Sequence, residues 1–314
     1  MENKLLVSVI IPVYNEAENI PIFFTTLAQV LLPLADKYDW EIIFVDDGSR
    51  DASVAELRKI TDSRVRIVEF SRNFGKEAAL SAGLNQARGN AAIMVDADLQ
   101  HPVELIPEFL KKWEAGAEVV VGIRKTNRRA GIVKRAGSCI FYKIMRRISA
   151  VQIKPNETDF RLVDREVIDA FNGLTETGRM TRALINWLGF KRDYIYFEAN
   201  DRTNGRAGYG FSKLVALALN SFISLSLLPL KLAGYLGVFI VLAVGIFGFY
   251  VLIGKYIFDW AFPSSFSGSA QLALLITFLV GVILSSLGLV ALYVAQIHNE
   301  ILGRPLYVIR KGKR

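Results

Sequence analysis

The chain has 314 residues, 38 Lys and Arg against 30 Asp and Glu (net charge +8), and 52% hydrophobic residues. Its one cysteine, Cys139, rules out an intrachain disulfide framework and fits a reducing compartment. The basic balance leaves nucleic acid, a membrane surface or an anionic substrate as partners, and the opening MENKLLVSVIIPVYNE has too short an apolar run and no cleavage site for a signal peptide.

Residues 7–122 alternate in period. VSVIIPV (7–13) reads as a strand and 17–36 as a helix. EIIFV (41–45) is a strand and ASVAELRKI a helix; VRIVEF (65–70) is a strand and EAALSAGLNQARG a helix ended by Gly89. AAIMV (91–95) is a strand, 102–115 a helix, and EVVVG (118–122) a strand. Continuous β-branched runs separated by helices predict a parallel sheet covered on both faces. In such sheets ligands bind beyond the carboxyl ends of the strands. Those ends carry Pro12, Tyr14, Asn15 and Glu16; then Asp46, Asp47, Gly48 and Ser49; then SRNFGK (71–76); then Asp96, Asp98 and Gln100; and last Arg124. Neither G-x-G-x-x-G nor G-x-x-x-x-G-K-[ST] is present, so a metal rather than a glycine loop is expected to handle a diphosphate.

VDADLQHP (95–102) raises a problem of charge. Alternate strand residues share a face, so Asp96 and Asp98 stand side by side and repel. A divalent cation resolves this, since hard oxygen ligands suit Mg2+ or Mn2+.

Residues 119–156 contain no acid, and IVKRAGSCIFYKIMRRIS within them sets Ile132, Ile140, Phe141, Ile144 and Ile148 near one helical face. That basic amphipathic pattern suits an anionic membrane surface. NETDFRLVDRE (156–166) supplies Asp159, Arg161 and Arg165, and the glycine-rich NGRAGYGFSKL (204–214) supplies Arg206 and Lys213. Residues 211–231 are expected to lie in the membrane plane. Residues 232–254 and 260–299 then hold no Asp, Glu, Lys or Arg, and each is long enough for a span of about 20 residues. The expected helices are 232–254 and 272–295. The connecting loop has only Lys255 and Asp259, whereas Lys213 and Lys231 precede the spans and Arg304, Arg310, Lys311, Lys313 and Arg314 follow them. Both termini are therefore expected on the cytoplasmic side.

VSVIIPVYNEAENI, EIIFVDDGSRDAS, SRNFGKEAAL, GLNQARG and VDADLQHP, in that order, resemble the inverting family 2 glycosyltransferases with a GT-A fold. SRNFGK, DADLQHP, TDFRL and two C-terminal spans resemble, more narrowly, the polyprenyl-phosphate glycosyltransferases, which include bactoprenol glucosyltransferases and dolichol-phosphate mannose synthases. The resemblance covers essentially the whole chain. It implies that Pro12, Tyr14, Glu16 and Asp46 hold the nucleoside, with Asp47 supporting Asp46 and Arg124 adding charge near the donor. It implies a metal on Asp98 with Asp96 and Gln100, which stabilises the departing nucleoside diphosphate. Asp159 becomes the candidate base, and Arg161, Arg206 and Lys213 the candidates for the acceptor phosphate.

The expected architecture is an α/β GT-A domain (1–210) with a mostly parallel sheet. An interfacial helix (211–231), a two-helix transmembrane hairpin (232–299) and a cytoplasmic tail (300–314) follow it. The expected activity is transfer of glucose from UDP-glucose to undecaprenyl phosphate by a multi-pass protein of the plasma (inner) membrane, without nucleic acid. Two helices leave much lipid-facing surface, which favours a homo-oligomer. Three rivals remain open. One is a mannose-transferring enzyme using GDP-mannose, and another a processive polysaccharide synthase, although its Q-x-x-R-W motif is missing. The third is a nucleotide-binding scaffold without catalysis.

Overall fold

The computed structural model describes residues 4–125, 154–176, 178–198 and 268–310, with isolated positions between 235 and 253. Seven strands form one sheet: β1 (Leu5–Val13), β2 (Tyr38–Asp46), β3 (Val65–Glu69), β4 (Ala91–Met94), β5 (Val119–Arg124), β6 (Glu157–Asp164) and β7 (Arg192–Phe197). Their spatial order is β3-β2-β1-β4-β6-β5-β7. β1 pairs in parallel with β2 and β4, β2 with β3, and β5 with β7. β6 alone runs antiparallel, between β4 and β5.

The helices are α1 (Asn19–Leu31), α2 (Ser53–Arg58), α3 (Lys76–Gln86), α4 (Ile106–Glu114), α5 (Arg165–Asn172) and α6 (Thr181–Trp187). They cover the sheet on both sides. Val7, Val9 and Ile11 of β1 pack with Phe23 and Leu27 of α1 and Phe109 of α4. Ile10, on the opposite face, packs with Leu80 and Leu84 of α3 and Phe171 of α5. This two-sided burial explains the unbroken apolar runs of the central strands, and each such side chain contributes about 1.5–3 kcal/mol.

The five strands expected from the sequence are present, with ends shifted by at most three residues. β6 and β7 are additions. In β6 the apolar residues Phe160 and Leu162 face one core while Asp159 and Arg161, also buried, face the other. A strand that buries charge on one face lacks the expected polar-out alternation.

The chain divides into two compact units, residues 1–208 with 303–314, and residues 209–302. The segment expected as a separate tail thus belongs with the sheet. Ile309 forms an antiparallel bridge with Phe70, just beyond the edge strand β3. The Ser71 N–H donates to the Val308 carbonyl at 2.9 Å and the Arg310 N–H to the Glu69 carbonyl at 2.7 Å. Tyr307 stacks on Phe70 with ring centroids 5.1 Å apart, and Phe70 meets Phe74 edge to face at 5.7 Å.

The second unit contains α7 (Gly268–Ile301), whose stretch Phe278–Ala295 is long and apolar enough to cross a membrane. It includes the expected span 272–295. Leu275, Phe278, Ile283, Leu287 and Val294 along it are exposed, as lipid-facing side chains would be. The described positions of the expected first span, among them Tyr235, Phe239 and Leu242, are helical. The two-helix hairpin as a whole, and the helix expected at 211–231, lie outside the described residues.

Replacing Tyr307 by Ala should remove the stacked ring and lower stability by about 1–2 kcal/mol, a fall of roughly 3–6 °C in Tm. Thermal unfolding in detergent measures this; an unchanged Tm would mean the tail adds nothing to the sheet edge.

Candidate active site

The site lies where the parallel strands end. β1 and β2 finish together, with Val13 in register with Asp46. Asp46 is buried and accepts the N–H groups of Gly48 (3.1 Å) and Ser49 (3.2 Å to one oxygen). Burial pushes its pKa up, against the pull of those hydrogen bonds. Pro12 is half-buried in β1, and the Tyr14 ring is exposed on the rim. Asn15, at a φ of +55°, ties the two loops together: its N–H donates to Ser49 Oγ, and its Oδ1 accepts from the Arg50 N–H. The Glu16 N–H donates to Ser53 Oγ, and its carboxylate accepts from Asn19 Nδ2 at 2.5 Å.

Asp47 turns inward. Its carboxylate accepts the N–H groups of Phe74 (2.6 Å) and Gly75 (2.9 Å), and so fixes the SRNFGK loop. Gly48 makes this approach feasible. It sits at a φ of +68°, and a Cβ there would lie 2.4 Å from the backbone carbon of Arg72.

β4 leads into Asp96, Asp98 and Gln100, with Leu99 at a φ of +60° turning the chain. Asp98 Oδ1 accepts the Gln100 N–H at 3.1 Å. Both oxygens of Asp96 meet the Lys76 ammonium, at 2.6 and 2.8 Å. The Asp96 N–H also donates to His101 Nδ1 at 3.3 Å. Burial lowers the His101 pKa, and the ring stacks on Phe160. An Nδ1 that accepts a hydrogen bond is the unprotonated nitrogen. Its 3.6 Å approach to the Asp96 carboxylate is therefore not an ion pair.

Because β6 runs against its neighbours, it starts where they finish. Met94 pairs with Arg161, and continuing that register by two residues sets Asp159 level with Asp96. Lys76 spans the two, its ammonium 2.8 Å from Asp159 Oδ2. Arg182 of α6 approaches from the other side, with Nε 3.3 Å from Asp159 Oδ1. Burial alone would raise the Asp159 pKa, but Lys76, Arg182 and Arg161 outweigh it and hold it at about 2. Burial by itself would lower the Lys76 pKa, and the two carboxylates instead raise it.

Arg161 lies beneath, 1% exposed, with Nη2 donating to the Thr158 carbonyl and Glu157 4.0 Å away. Its guanidinium is inside the domain, so it meets an acceptor only through Asp159. Arg124 ends β5 with an exposed side chain, and its N–H donates to the Asn156 carbonyl. Arg206 and Lys213 lie outside the described residues.

Three residues of the cluster have no role in the sequence reading. Lys76 and His101 flank motifs that stand out, but their partner Asp159 and neighbour Phe160 come from β6. Arg182 carries no motif at all.

Among the described residues no group of three or more His, Cys, Asp or Glu side chains could hold a metal unaided. Asp98 and Gln100 supply hard oxygen donors, while Asp96 is already held by Lys76. Such a set fits Mg2+ or Mn2+ where diphosphate oxygens complete the shell.

Residues 8–171 match the family described as glycosyl transferase family 2. An uncharacterized glycosyltransferase of Synechocystis sp. is 39% identical, over 96% of this chain and 94% of its own. The uncharacterized glycosyltransferase YkcC of Bacillus subtilis is 34% identical, over 99% and 95%. The bactoprenol glucosyl transferase of Shigella phage SfII is 36% identical, over 98% of each. Among solved structures, the mannosyltransferase PcManGT from Pyrobaculum calidifontis in complex with GDP-Man and Mn2+ superposes with a TM-score of 0.47 at 22% identity, over 66% of this chain and 59% of that one. The family match takes in the strand-end loops, the paired aspartates and Asp159, and the relatives extend it to nearly the whole length: the chain belongs to glycosyl transferase family 2 and carries its GT-A-like α/β domain.

Proposed function

We propose that this chain transfers glucose from UDP-glucose to a polyprenyl phosphate, undecaprenyl phosphate in a bacterial membrane, with inversion at the anomeric carbon. The observation that carries the reading is the juxtaposition of Asp159 with the Asp96–Asp98 rim. It places a carboxylate ringed by cations beside a donor set suited to a metal-bound diphosphate. Full-length similarity to a protein named bactoprenol glucosyl transferase supports the choice of sugar and lipid.

Transfer is one displacement. An acceptor phosphate oxygen forms the bond to the anomeric carbon as the bond to the donor's β-phosphate oxygen breaks, and the nucleoside diphosphate leaves. Pro12, Tyr14, Glu16 and Asp46 line the loops that would receive the nucleoside, and the buried Asp46 carboxylate suits a base N–H. Asp98 and Gln100 would hold the cation, which when bound supplies positive charge to the departing diphosphate. Arg124, exposed at the end of β5, and the basic residues Arg206 and Lys213 are offered to phosphate groups.

Asp159 is a poor base. The second pKa of a phosphate monoester is near 6, about four units above that of Asp159. The acceptor is already mostly dianionic at neutral pH. Asp159 therefore serves to order the cations that meet the acceptor phosphate.

The membrane reading is part of the proposal. Residues 303–310 belong to the same compact unit as 1–208, so the intervening segment starts and finishes at one unit. That supports an even number of crossings, and α7 supplies one. With the flanking Lys and Arg, it favours a catalytic domain and both termini at the cytoplasmic face of the plasma membrane. A homo-oligomer remains part of the proposal on the ground of lipid-facing surface alone.

Purified protein with undecaprenyl phosphate and Mg2+ should label lipid from radiolabelled UDP-glucose and not from GDP-mannose, and Asp98→Ala should reduce labelling by at least about 10²-fold. Labelling from GDP-mannose alone would reassign the sugar; none from either would leave a different sugar nucleotide or a nucleotide-binding scaffold, which calorimetry with UDP and GDP separates. The pH profile offers a second check. The acid limb of kcat/KM should fall near pH 6 with the acceptor phosphate, and Asp159→Asn should lower the plateau without moving the limb. A limb that vanishes in Asp159→Asn would restore Asp159 as the base.

A further inference from the structure

We propose that Lys76 is a positioning residue for the transfer, acting through Asp159; this rests on the reading above and adds a residue to it. The Lys76 ammonium meets both oxygens of Asp96 and, at 2.8 Å, Asp159 Oδ2. Arg182 takes Asp159 Oδ1 at 3.3 Å. Arg182 Nη2 also lies 3.4 Å from Oδ2, so two cations flank the carboxylate and restrain its side-chain torsions. Lys76 ties it to the donor side, Arg182 to α6.

Lys76 is itself fixed. It is the first residue of α3, and the two residues before it, Phe74 and Gly75, are bound through their N–H groups by Asp47. Gly75, at a φ of +100°, turns the chain into the helix. A line of restraint therefore runs from the end of β2, through the SRNFGK loop and the Lys76 ammonium, to the acceptor-facing carboxylate of β6. Charge balance alone would not require this arrangement. Arg161 and Arg182 already surround Asp159, whereas only Lys76, among the described residues, is ion-paired to both Asp96 and Asp159. What Lys76 adds is a fixed separation between the donor rim and Asp159. Misplacement by about 1 Å of the groups that position a substrate can reduce turnover 10²-fold.

The test compares wild type, Lys76→Met, Lys76→Arg, Asp159→Asn and the Lys76→Met/Asp159→Asn pair, assayed with UDP-glucose and undecaprenyl phosphate. Lys76→Met should lower kcat by about 10²-fold while the KM for UDP-glucose stays within about threefold. Lys76→Arg should recover about tenfold of that loss, because a guanidinium fork can span two carboxylates. The double variant should be no slower than Asp159→Asn alone, since Lys76 acts through the carboxylate. Losses that multiply, or a loss carried by the donor KM, would overturn the proposal and make Lys76 a direct donor contact. If wild type labels no lipid, the functional reading fails separately. Thermal unfolding of the same variants then decides: non-additive Tm shifts for Lys76→Met and Asp159→Asn uphold the coupling, and additive shifts remove it.

Discussion

One antiparallel strand governs the chemistry of this domain. In a purely parallel sheet every strand leaves through the same edge, and functional residues must come from loops. β6 enters through that edge, between β4 and β5, and brings Asp159 in on rigid backbone. Asp159 is therefore placed by sheet register and not by a loop. The helices that follow, α5 and α6, fold back over the same face, so that Arg182 arrives beside the carboxylate that β6 delivers.

The cost of this arrangement is buried charge. Asp159 and Arg161 share one face of β6, with Glu157 close to Arg161, and all three are buried. An isolated buried charge would cost several kcal/mol, and pairing is what makes the cluster tolerable. Among the described residues, Arg161 Nε and Nη1, Asp159 Oδ1, Arg182 Nε and Asn186 Oδ1 have no hydrogen-bond partner. The depressed pKa of Asp159 has the same origin. The cations that make burial affordable also hold the carboxylate in its charged form.

The parallel half of the sheet was legible because its strands are buried on both faces, and continuous runs such as VSVIIPV and EIIFV admit few other readings. The DxD segment stands out because two acids on one strand face favour a nearby cation, and the cation on Asp96 is the Lys76 ammonium. β6 was not, because TDFRLVD carries its charges on a buried face, where burial rather than polarity is the controlling fact. Lys76 and His101 were visible as residues but not as partners, since their neighbours lie on a strand that the sequence reading did not see. Asp47 reads as a second acid beside Asp46, whereas its carboxylate is taken up by two backbone N–H groups of a loop 27 and 28 residues away. Arg182 had no local signal of any kind.

The strand contributed by residues 307–310 also sets an order of events. Its partner, Phe70, is made early in synthesis, but Ile309 follows all of 209–302, including α7. The edge beside the SRNFGK loop therefore stays open while the apolar helix is made, and it closes only afterwards. A piece cut at residue 208 would retain every strand of the sheet and every described residue of the cluster, yet it would expose the Phe70 edge that the returning segment covers. Completion of the sheet-bearing unit is thus tied in time to completion of the apolar segment that precedes residue 303.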